Sequence, residues 1–240
     1  MNLPTVDVVV CTRNRSRLLE GSCEAILKQD YPAELWRLLV VDNASTDDTF
    51  EVARALARRF PERVRAVQCL ELGHSAARNS AVRETASEIL AFTDDDALPD
   101  PSWLRTLVEA MEQEGAQAGG GPVDLSLSGE LPPWFLEVYL LYLAIWRPGE
   151  ERRQLSYNEY PRGVNMAIRR EAFERNGLFS THLGLRGKRQ LFCEETELFL
   201  RIERNGGRIV YSPRSRVLHC VDAGRFTVEW LARRYAAQGR

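Results

Sequence analysis

The sequence is short of the residues that build disulfide frameworks and soft metal sites. Its 240 residues include three histidines and five cysteines, and the cysteines are scattered, odd in number and never spaced as CxxC. This pattern argues against a zinc site or a disulfide framework. Free thiols favour a reducing compartment, so we expect a cytoplasmic protein.

Long apolar runs are missing as well. No stretch approaches the roughly 18–20 apolar residues that a membrane-spanning helix needs. The N-terminus has no basic region ahead of its apolar run, so we expect no signal peptide. We therefore expect at most peripheral contact with a membrane, at the inner face of the plasma membrane.

An excess of basic residues is also lacking. Lys and Arg total 32 against 34 for Asp and Glu, which gives a formal net charge of -2. A dedicated nucleic-acid binder needs positive charge to offset phosphates, so we expect no nucleic-acid partner. With 44% hydrophobic and 28% charged residues, the composition is that of a globular protein and excludes wholesale disorder.

The first half of the chain alternates strand and helix patterns. Continuous apolar runs, such as the VVVC that ends at Cys11, are typical of parallel strands covered on both faces. Four strand–helix units predict an α/β fold with a doubly wound, mostly parallel sheet and helices on both faces. The predicted strands are residues 6–11, 38–41, 64–68 and 89–93, and the predicted helices are 16–29, a helix running from the capping segment 43–48 to 60, 75–85 and 102–114.

The second half has a looser pattern after residues 119–122. Helices are predicted at 170–176 and 194–205, and a short strand at 208–211. These few elements indicate an elaboration on the sheet rather than a separate domain. We therefore expect one domain over residues 1–240.

Three polar clusters fall at the carboxyl ends of predicted strands. Ligands of open α/β sheets bind beyond those ends, so the coincidence predicts a ligand site. The clusters are Thr12-Arg13-Asn14, Asp42-Asn43 and Asp94-Asp95-Asp96.

The acidic triplet at residues 94–96 is the cluster most suited to a cation. Three adjacent carboxylates repel one another, and hard oxygen ligands suit Mg²⁺ or Mn²⁺ with phosphate oxygens. This favours a metal–diphosphate site, whereas a solvated turn that caps the next helix is the alternative. Asp42 also has two interpretations. Its carboxylate can accept hydrogen bonds from the edge of a nucleobase, or it can be a turn residue before the next helix.

The helix predicted at 194–205 carries a candidate proton acceptor. Glu195 lies in line with the apolar stripe of Leu198 and Ile202, near the helix N-terminus. Burial raises the pKa of such a carboxyl and the helix dipole lowers it. The residue can serve as a general base, although a carboxylate that only satisfies helix N–H groups is the alternative.

Three further polar residues have weaker signals. Glu194 shares a second helix face with the Glu197–Arg201 pair, and this face is expected to be solvent-exposed. His219 becomes a candidate ligand only if the fold brings it to the acidic triplet. Arg78 follows a glycine turn near a helix start, a place that can bind phosphate or ribose.

Six sequence blocks together carry a family resemblance. In chain order they are VDVVVCTRNRSRLLEGSCEAIL, LLVVDNASTDDT, GHSAARNSAV, ILAFTDDDALPDPSWL, GVNMAIRREAF and CEETELFLRIERNGGRIVY. They resemble the successive blocks of inverting family 2 glycosyltransferases with a GT-A fold, and they extend from Val6 to about His219. Two departures stand out, because Cys11 replaces a common proline and Glu195 a common aspartate.

The resemblance implies the reaction partners. The donor is a nucleotide-diphosphate sugar, with a UDP-sugar favoured over a dTDP- or GDP-sugar, and Mg²⁺ or Mn²⁺ is the cofactor. The acceptor is a glycan, a lipid-linked sugar or a small molecule. Residues 1–115 are then the nucleotide-sugar-binding half, and residues 116–240 the acceptor-binding half with a C-terminal helix.

The resemblance also implies a role for each matching residue. The residues expected to contact the donor nucleotide are Thr12, Arg13, Asn14, Asp42, Arg78, Asp94 and Asp95. The expected metal ligands are Asp94, Asp96 and His219, and the expected catalytic base is Glu195. Contact with the acceptor falls to Trp134, Asn165 and Glu194.

Two segments of the second half are rich in aromatic residues. The apolar run 134–146 is predicted to be a buried helix, with an interfacial or acceptor-facing helix as the alternative. The tail 225–240 mixes Trp230 with arginines and predicts a docked C-terminal helix, with contact to an anionic membrane surface as the alternative.

Three other functions fit the same residues less well. A NAD-binding oxidoreductase is disfavoured because no GxGxxG follows the first strand. A sugar-phosphate nucleotidyltransferase is disfavoured because that position has no Gly-rich loop bearing Lys or Arg. A nucleotide-sugar-binding module without turnover is disfavoured because the acidic triplet and Glu195 are both present.

Overall fold

The computed structural model describes residues 3–127, 129–186 and 189–238. Runs rich in Val, Ile and Leu form the strands, and those of the first half are mostly buried on both faces. In chain order the strands are β1 (Val6–Thr12), β2 (Trp36–Asp42), β3 (Val64–Gln68), β4 (Ile89–Asp94), β5 (Ala97–Pro99), β6 (Ala118–Gly120), β7 (Val123–Ser126), β8 (Arg153–Leu155), β9 (Met166–Arg169), β10 (Leu185–Arg186), β11 (Arg189–Gln190), β12 (Ile209–Tyr211) and β13 (Val217–Cys220).

Amphipathic segments between the strands form the helices, as their apolar stripes predict. In chain order the helices are α1 (Ser16–Ile26), α2 (Thr49–Arg59), α3 (His74–Glu84), α4 (Trp103–Glu114), α5 (Arg170–Asn176), α6 (Glu194–Arg204) and α7 (Val228–Gln238). Short 3₁₀ segments cover Ala33–Leu35, Glu137–Leu143 and Ala223–Arg225.

The central sheet has the strand order β3-β2-β1-β4-β9-β6-β12-β8. The first four strands are parallel, and β12 is parallel to β6. Strand β9 runs antiparallel between β4 and β6, and β8 is antiparallel to β12. The predicted mostly parallel sheet is therefore confirmed.

Successive side chains of β1 supply the core on both faces of this sheet. Val8 and Val10 belong to the cluster that contains apolar residues of α1, α2 and α4. Val9 points the other way and packs with Ala77 of α3 and Leu198 of α6. Each buried valine contributes about 1.5–3 kcal/mol relative to exposure, so a strand covered on both faces is strongly held.

The strand order reverses beside β1, since β2 and β3 lie on one side of it and β4 on the other. Cys11 is level with Asp94 in the register of β1 and β4, so the polar residues that follow both strands meet at this edge. A crevice outside the carboxyl ends of strands, at such a reversal, is where open α/β sheets bind ligands.

A second sheet, β5-β13-β7, stands over this edge. The antiparallel pairing of β5 and β13 puts His219 opposite Ala97. The backbone N–H of Cys220 then donates to the carbonyl of Asp96 at 2.7 Å. This pairing brings a late histidine to the acidic triplet, although the two are more than 120 residues apart in the sequence.

The prediction of a buried helix over residues 134–146 is wrong. The segment forms a 3₁₀ helix, Glu137–Leu143, with a turn before it at 133–134 and a left-handed Ala144 after it. Phe135 and Leu143 pack inward against Phe226, whereas Leu136 and other apolar residues face outward. A short 3₁₀ segment stacks every third residue on one side, so it buries one narrow stripe and leaves the rest exposed.

The C-terminal segment forms the predicted docked helix. Helix α7 packs on the 3₁₀ segment, and the rings of Tyr142 and Tyr235 lie 6.0 Å apart in an edge-to-face arrangement. Within the part of the chain that the structure describes, no helix has the length and apolarity that crossing a bilayer requires.

Candidate active site

A cavity of about 780 Å³ opens over the carboxyl ends of β1 and β4. The starts of α3 and α6, the end of the 3₁₀ segment and α7 complete its walls. Of the residues expected at the site, those that line the cavity are Thr12, Arg13, Arg78, Asp94, Asp95, Asp96, Glu194, Glu195 and His219. The other four are Asn14, Asp42, Trp134 and Asn165.

Thr12 and Asp95 tie the ends of β1 and β4 together. The Thr12 hydroxyl donates to Oδ2 of Asp95 at 2.6 Å, and Nε of Arg15 lies 4.0 Å from Oδ1. Burial raises the pKa of Asp95 to about 6. These contacts fix the floor of the cavity.

Asp96 is held by a histidine and an arginine. Its Oδ1 lies 3.2 Å from Nε2 of His219, and its Oδ2 accepts a hydrogen bond from Arg225 at 2.9 Å. Burial alone would raise the pKa of Asp96, but the hydrogen bond to His219 and the charges of His219, Arg225 and Arg15 outweigh it and lower the pKa. No pattern in the sequence predicts the contact between Arg225 and this carboxylate.

Asp96 and His219 fit a divalent cation. The Oδ1–Nε2 separation is close to the ~3.0 Å that adjacent ligands of an octahedral ion keep when bond lengths are about 2.1 Å. Nδ1 of His219 lies 2.8 Å from the carbonyl of Leu143, and since a carbonyl only accepts, Nδ1 carries the hydrogen. Metal-binding histidines are oriented in this way.

The expectation that Asp94 completes the metal shell is not met by the geometry. Over residues 3–127, 129–186 and 189–238, no three His, Cys, Asp or Glu side chains converge on one point. Asp94 lines the cavity beside the pair. The described part of the chain thus offers two ligands, and a magnesium-type ion commonly takes its remaining ligands from waters and phosphate oxygens.

Arg78 and Glu194 form a buried ion pair. Nη1 of Arg78 donates to Oε1 of Glu194 at 3.0 Å, and Nδ1 of His74 lies 3.1 Å from the same oxygen. Arg78 is only 2% exposed. Burial works to raise the pKa of Glu194, but the His74 hydrogen bond and the charge of Arg78 outweigh it and lower the pKa.

The expectation of a solvent-facing Glu194 is therefore wrong. Cys193 adopts a left-handed conformation with φ of 75°, which turns the chain into α6 so that Glu194 points toward α3. Its partners lie one turn apart on α3, as positions 74 and 78 do on any helix. Arg78 likewise has its charge engaged by Glu194 rather than open to a phosphate.

Glu195 is half-buried at the cavity wall. Leu198 and Ile202, which share its helix face, are fully buried. In the described residues no side chain hydrogen-bonds to the Glu195 carboxylate. Burial, and then the negative charge of Glu194, raise its pKa, which Arg78 only partly offsets. A carboxylate of raised pKa that no side chain holds is suited to accept a proton.

Asp42 and Asn14 stand behind the cavity, toward the 43–48 loop. Asp42 is fully buried, its Oδ2 accepts from Ser45 N and from Gln68 Nε2, each at 3.2 Å, and its Oδ1 has no partner. Oδ1 of Asn14 accepts from Thr46 N at 2.8 Å. Asn14 thus shapes the loop, while Asp42 keeps one acceptor free.

Asn43 lines the cavity, although no role of its own was predicted for it. Its Nδ2 donates to the carbonyl of Glu71 at 2.7 Å, and its Oδ1 accepts from Gly73 N at 2.9 Å. The side chain therefore ties the end of β2 to the turn that begins α3. The signal in the sequence that could have identified Asn43 as a site residue is its position directly after Asp42, at the end of a predicted strand.

Trp134 and Asn165 are not brought to the cavity. Trp134 is exposed and stacks edge-to-face on Phe135. Asn165 is fully buried, its Oδ1 accepts from Trp103 Nε1, and its Nδ2 donates to the carbonyls of Pro122 and Ser215. All the polar atoms of the Asn165 amide are thus engaged within the core, which corrects the expected acceptor contact.

Arginines form the largest group that sequence reasoning missed. Besides Arg13 and Arg78, the cavity is lined by Arg15, Arg162, Arg225, Arg233 and Arg234. They come from four separate segments of a chain with 32 basic residues. Arginine is common on surfaces, so no spacing in the sequence distinguishes these side chains from the others.

The chain is similar in sequence to known glycosyltransferases and related biosynthetic proteins. A model of the family described as Glycosyl transferase family 2 matches residues 7–177. The succinoglycan biosynthesis protein ExoM of Rhizobium meliloti is 29% identical over 238 residues, 98% of this chain and 73% of that protein. A glucosyl-dolichyl phosphate glucuronosyltransferase of Haloferax volcanii is 29% identical over 240 residues, 98% of this chain and 75% of that protein.

A solved structure is similar over nearly the whole chain. It is a mannosyltransferase from Pyrobaculum calidifontis in complex with GDP-Man and Mn²⁺, with a TM-score of 0.67 and 26% identity. The match covers 92% of this chain and 58% of the other, so this chain spans little more than half of that protein.

Proposed function

Because the chain belongs to glycosyltransferase family 2, we propose that it moves one sugar from a nucleotide-diphosphate sugar to an acceptor hydroxyl and inverts the anomeric carbon. The observation that carries the proposal is the convergence on one cavity of the Asp96–His219 pair and a Glu195 carboxylate that no side chain hydrogen-bonds. The GT-A fold and the family resemblance expected from the sequence are confirmed.

Glu195 is the proposed general base. Its carboxylate takes the proton of the acceptor hydroxyl while that oxygen forms a bond to the anomeric carbon. The bond from that carbon to the diphosphate oxygen breaks in the same step, and attack from the opposite face inverts the configuration. General-base catalysis of this kind contributes about 10²–10⁴-fold to a rate.

Asp96 and His219 are the residues that would hold a divalent ion, Mg²⁺ or Mn²⁺. When bound, the ion supplies Lewis-acid stabilisation of the negative charge on the departing diphosphate. Arg15 and Arg225 stand at the Asp96 carboxylate and add positive charge at the same end of the cavity. The Mn²⁺ and GDP-Man of the similar mannosyltransferase structure support this arrangement.

Donor selection is proposed to rest on the residues after β1 and β2. Asp42 is proposed to accept a nucleobase N–H through Oδ1, which is buried and without a partner, so this contact requires the 43–48 loop to move; Thr12 and Arg13 line the cavity. A UDP-sugar is favoured, with dTDP- and GDP-sugars as alternatives. We further propose residues 1–115 as the donor half, 116–240 as the acceptor half and a cytoplasmic location.

A thermal-shift screen tests the proposal. Purified protein is heated with UDP-, dTDP- and GDP-sugars, each with Mg²⁺, with Mn²⁺ and with a chelator. A ligand that binds the folded state raises the melting temperature, so one nucleotide class should do so and only with metal. Failure of every nucleotide sugar to raise it would contradict the proposal.

A further inference from the structure

One arginine contacts both residues that would hold the divalent ion. Nη2 of Arg225 donates to Oδ2 of Asp96 at 2.9 Å, and Nη1 of the same guanidinium lies 3.5 Å from Nε2 of His219. Nδ1 of His219 carries the hydrogen that faces the Leu143 carbonyl, so Nε2 of the neutral ring is an acceptor and Arg225 is the donor. The guanidinium therefore engages the same carboxylate and the same ring nitrogen that a metal ion would use.

The other arginines of the cavity are placed differently. Nη2 of Arg15 lies 4.0 Å from Oδ2 of Asp96, but in the described residues Arg15 forms no hydrogen bond to His219. Arg233 lines the cavity from α7, and no ion pair of the described residues joins it to Asp96. In the described part of the chain, Arg225 is thus the one arginine that joins the two candidate metal ligands.

The guanidinium and a divalent ion exclude each other at His219. Nε2 of the neutral ring has a single lone pair, which either accepts from Arg225 or binds an ion. Two cations that share the ligands Asp96 and His219 also repel each other. Binding of the ion to this pair of side chains therefore requires Arg225 to leave at least the histidine.

The backbone around Arg225 is anchored, whereas its side chain is partly open to the cavity. Oδ1 of Asp222 accepts from Gly224 N at 2.7 Å, and the ring of Phe226 packs on that of Phe135 with 5.0 Å between centroids. The side chain of Arg225 is 24% exposed and lines the cavity. Rotation of this side chain is therefore enough to release Asp96 and His219, and the turn before α7 can stay in place.

We propose that Arg225 is an exchangeable cation of the metal site, which Asp96 and His219 hold until the ion and the donor diphosphate bind, and which then turns to the diphosphate. Guanidinium groups form paired, charge-assisted hydrogen bonds to phosphate, so the diphosphate replaces the carboxylate that Arg225 leaves. Binding of the ion and binding of the diphosphate are thereby coupled through one side chain. The inference rests on the proposed transferase function and adds to it a residue that controls when the metal binds.

Manganese binding tests this inference with the whole chain. Electron paramagnetic resonance measures free Mn²⁺ during titration of wild type and R225A with Mn²⁺ alone, and calorimetry measures binding of UDP, dTDP and GDP at saturating Mn²⁺. R225A should bind Mn²⁺ alone about tenfold or more tightly, because the ion no longer displaces a charge-assisted hydrogen bond. It should bind the diphosphate about tenfold more weakly, because a phosphate contact is lost. A folding defect would weaken both.

Matched variants separate exchange at shared ligands from general charge effects. R225K keeps a positive charge, but its ammonium is a point charge that does not span two ligand atoms, so its affinity for Mn²⁺ alone should lie between those of wild type and R225A. R15A removes a charge beside Asp96 without freeing His219 and should raise that affinity less than R225A does. R233A removes a cavity arginine outside the pair and should bind Mn²⁺ as wild type does. Melting temperatures identify any variant that fails to fold.

Three results would overturn the inference. One is an unchanged affinity for Mn²⁺ alone in folded R225A. Another is an equal rise in R15A and R225A, which indicates general repulsion between cations. A third is UDP binding by wild type that a chelator does not weaken and that R225A loses, which assigns Arg225 as a permanent substitute for the ion. If a nucleotide sugar with Mn²⁺ raises the melting temperature of wild type and one of these results is found, this inference fails alone; if no nucleotide sugar raises it, the proposed function fails too.

Discussion

Single residues at this site differ mainly in what surrounds them. Glu194 and Glu195 are adjacent, yet ion pairing lowers the pKa of the first while burial and the charge of the first raise that of the second. Two neighbouring carboxyl groups whose pKa values differ in this way typically have different roles. One group is structural, and the other is able to take a proton. The sequence predicted Glu195 from its helix face but placed Glu194 in solvent, because its partners on α3 are more than 110 residues away.

The first residue-scale prediction concerns Glu195. E195Q should keep donor affinity and reduce transfer by about 10²–10⁴-fold, because the amide cannot accept the acceptor proton. Donor binding is measured by calorimetry and transfer by product formation. E174Q, an exposed change on α5 outside the cavity, serves as the control. Turnover close to wild type in E195Q would remove this residue as the base.

The second concerns the pH dependence of the reaction. A raised pKa means that Glu195 is protonated, and the enzyme inactive, up to a higher pH than an ordinary glutamate allows, so kcat/KM should rise with pH through that pKa. E194Q removes a negative charge and frees Arg78, and both changes lower the pKa of Glu195. The acid limb of the profile should therefore move to lower pH. An unmoved limb, in protein shown to be folded by circular dichroism, would contradict the assignment.

Secondary-structure elements were predictable where one local pattern decides them. The runs before Cys11 and Asp42 predicted β1 and β2, since an apolar strand of that length has to be covered on both faces. The 3₁₀ segment Glu137–Leu143 was not predictable, because apolar content alone does not say which side chains a short helix can bury. The pairing of β5 with β13 is set by tertiary packing, which the sequence does not reveal. The sequence could therefore predict His219 as a ligand only on the condition that the fold brings it to Asp96.

An element-scale prediction follows from the contact between α3 and the loop before β9. A Cβ on Gly163 would collide with the Arg78 guanidinium, which the buried pair with Glu194 holds in place. G163A should therefore destabilise the protein and reduce transfer. G21A is the matched control, because nothing lies near a Cβ there and Gly21 is inside α1. It should stabilise the fold by about 0.5–1 kcal/mol.

Chemical denaturation compares these two variants. Destabilisation by G163A with transfer per folded molecule unchanged would show that the Arg78–Glu194 pair does not position α6 for catalysis. Loss of transfer at a temperature where the variant is fully folded would support that positioning role. Stabilisation by G163A would contradict the steric argument itself.

At the scale of the whole molecule, the site joins segments from both halves of the chain. Asp96 follows β4, His219 lies on β13 and Arg225 precedes α7. The sequence indicated the acidic triplet and, through resemblance, the histidine, but the arginine contacts depend on how the second half folds back. Binding at this junction should therefore stabilise the fold as a unit, since a ligand that prefers the native state shifts the whole unfolding equilibrium.

D96A provides the whole-molecule prediction. At a donor concentration about 100 times Kd, binding adds about 2.7 kcal/mol, which raises the melting temperature of a chain this size by roughly 5–10 °C. In D96A the metal-dependent part of that rise should vanish, because one of the two ligands is gone. The measured quantity is the shift on adding donor and Mn²⁺, so any intrinsic loss of stability cancels. D30A, an exposed change outside the cavity, should keep the full shift. A wild-type shift in D96A that a chelator does not reduce would reject Asp96 as a ligand.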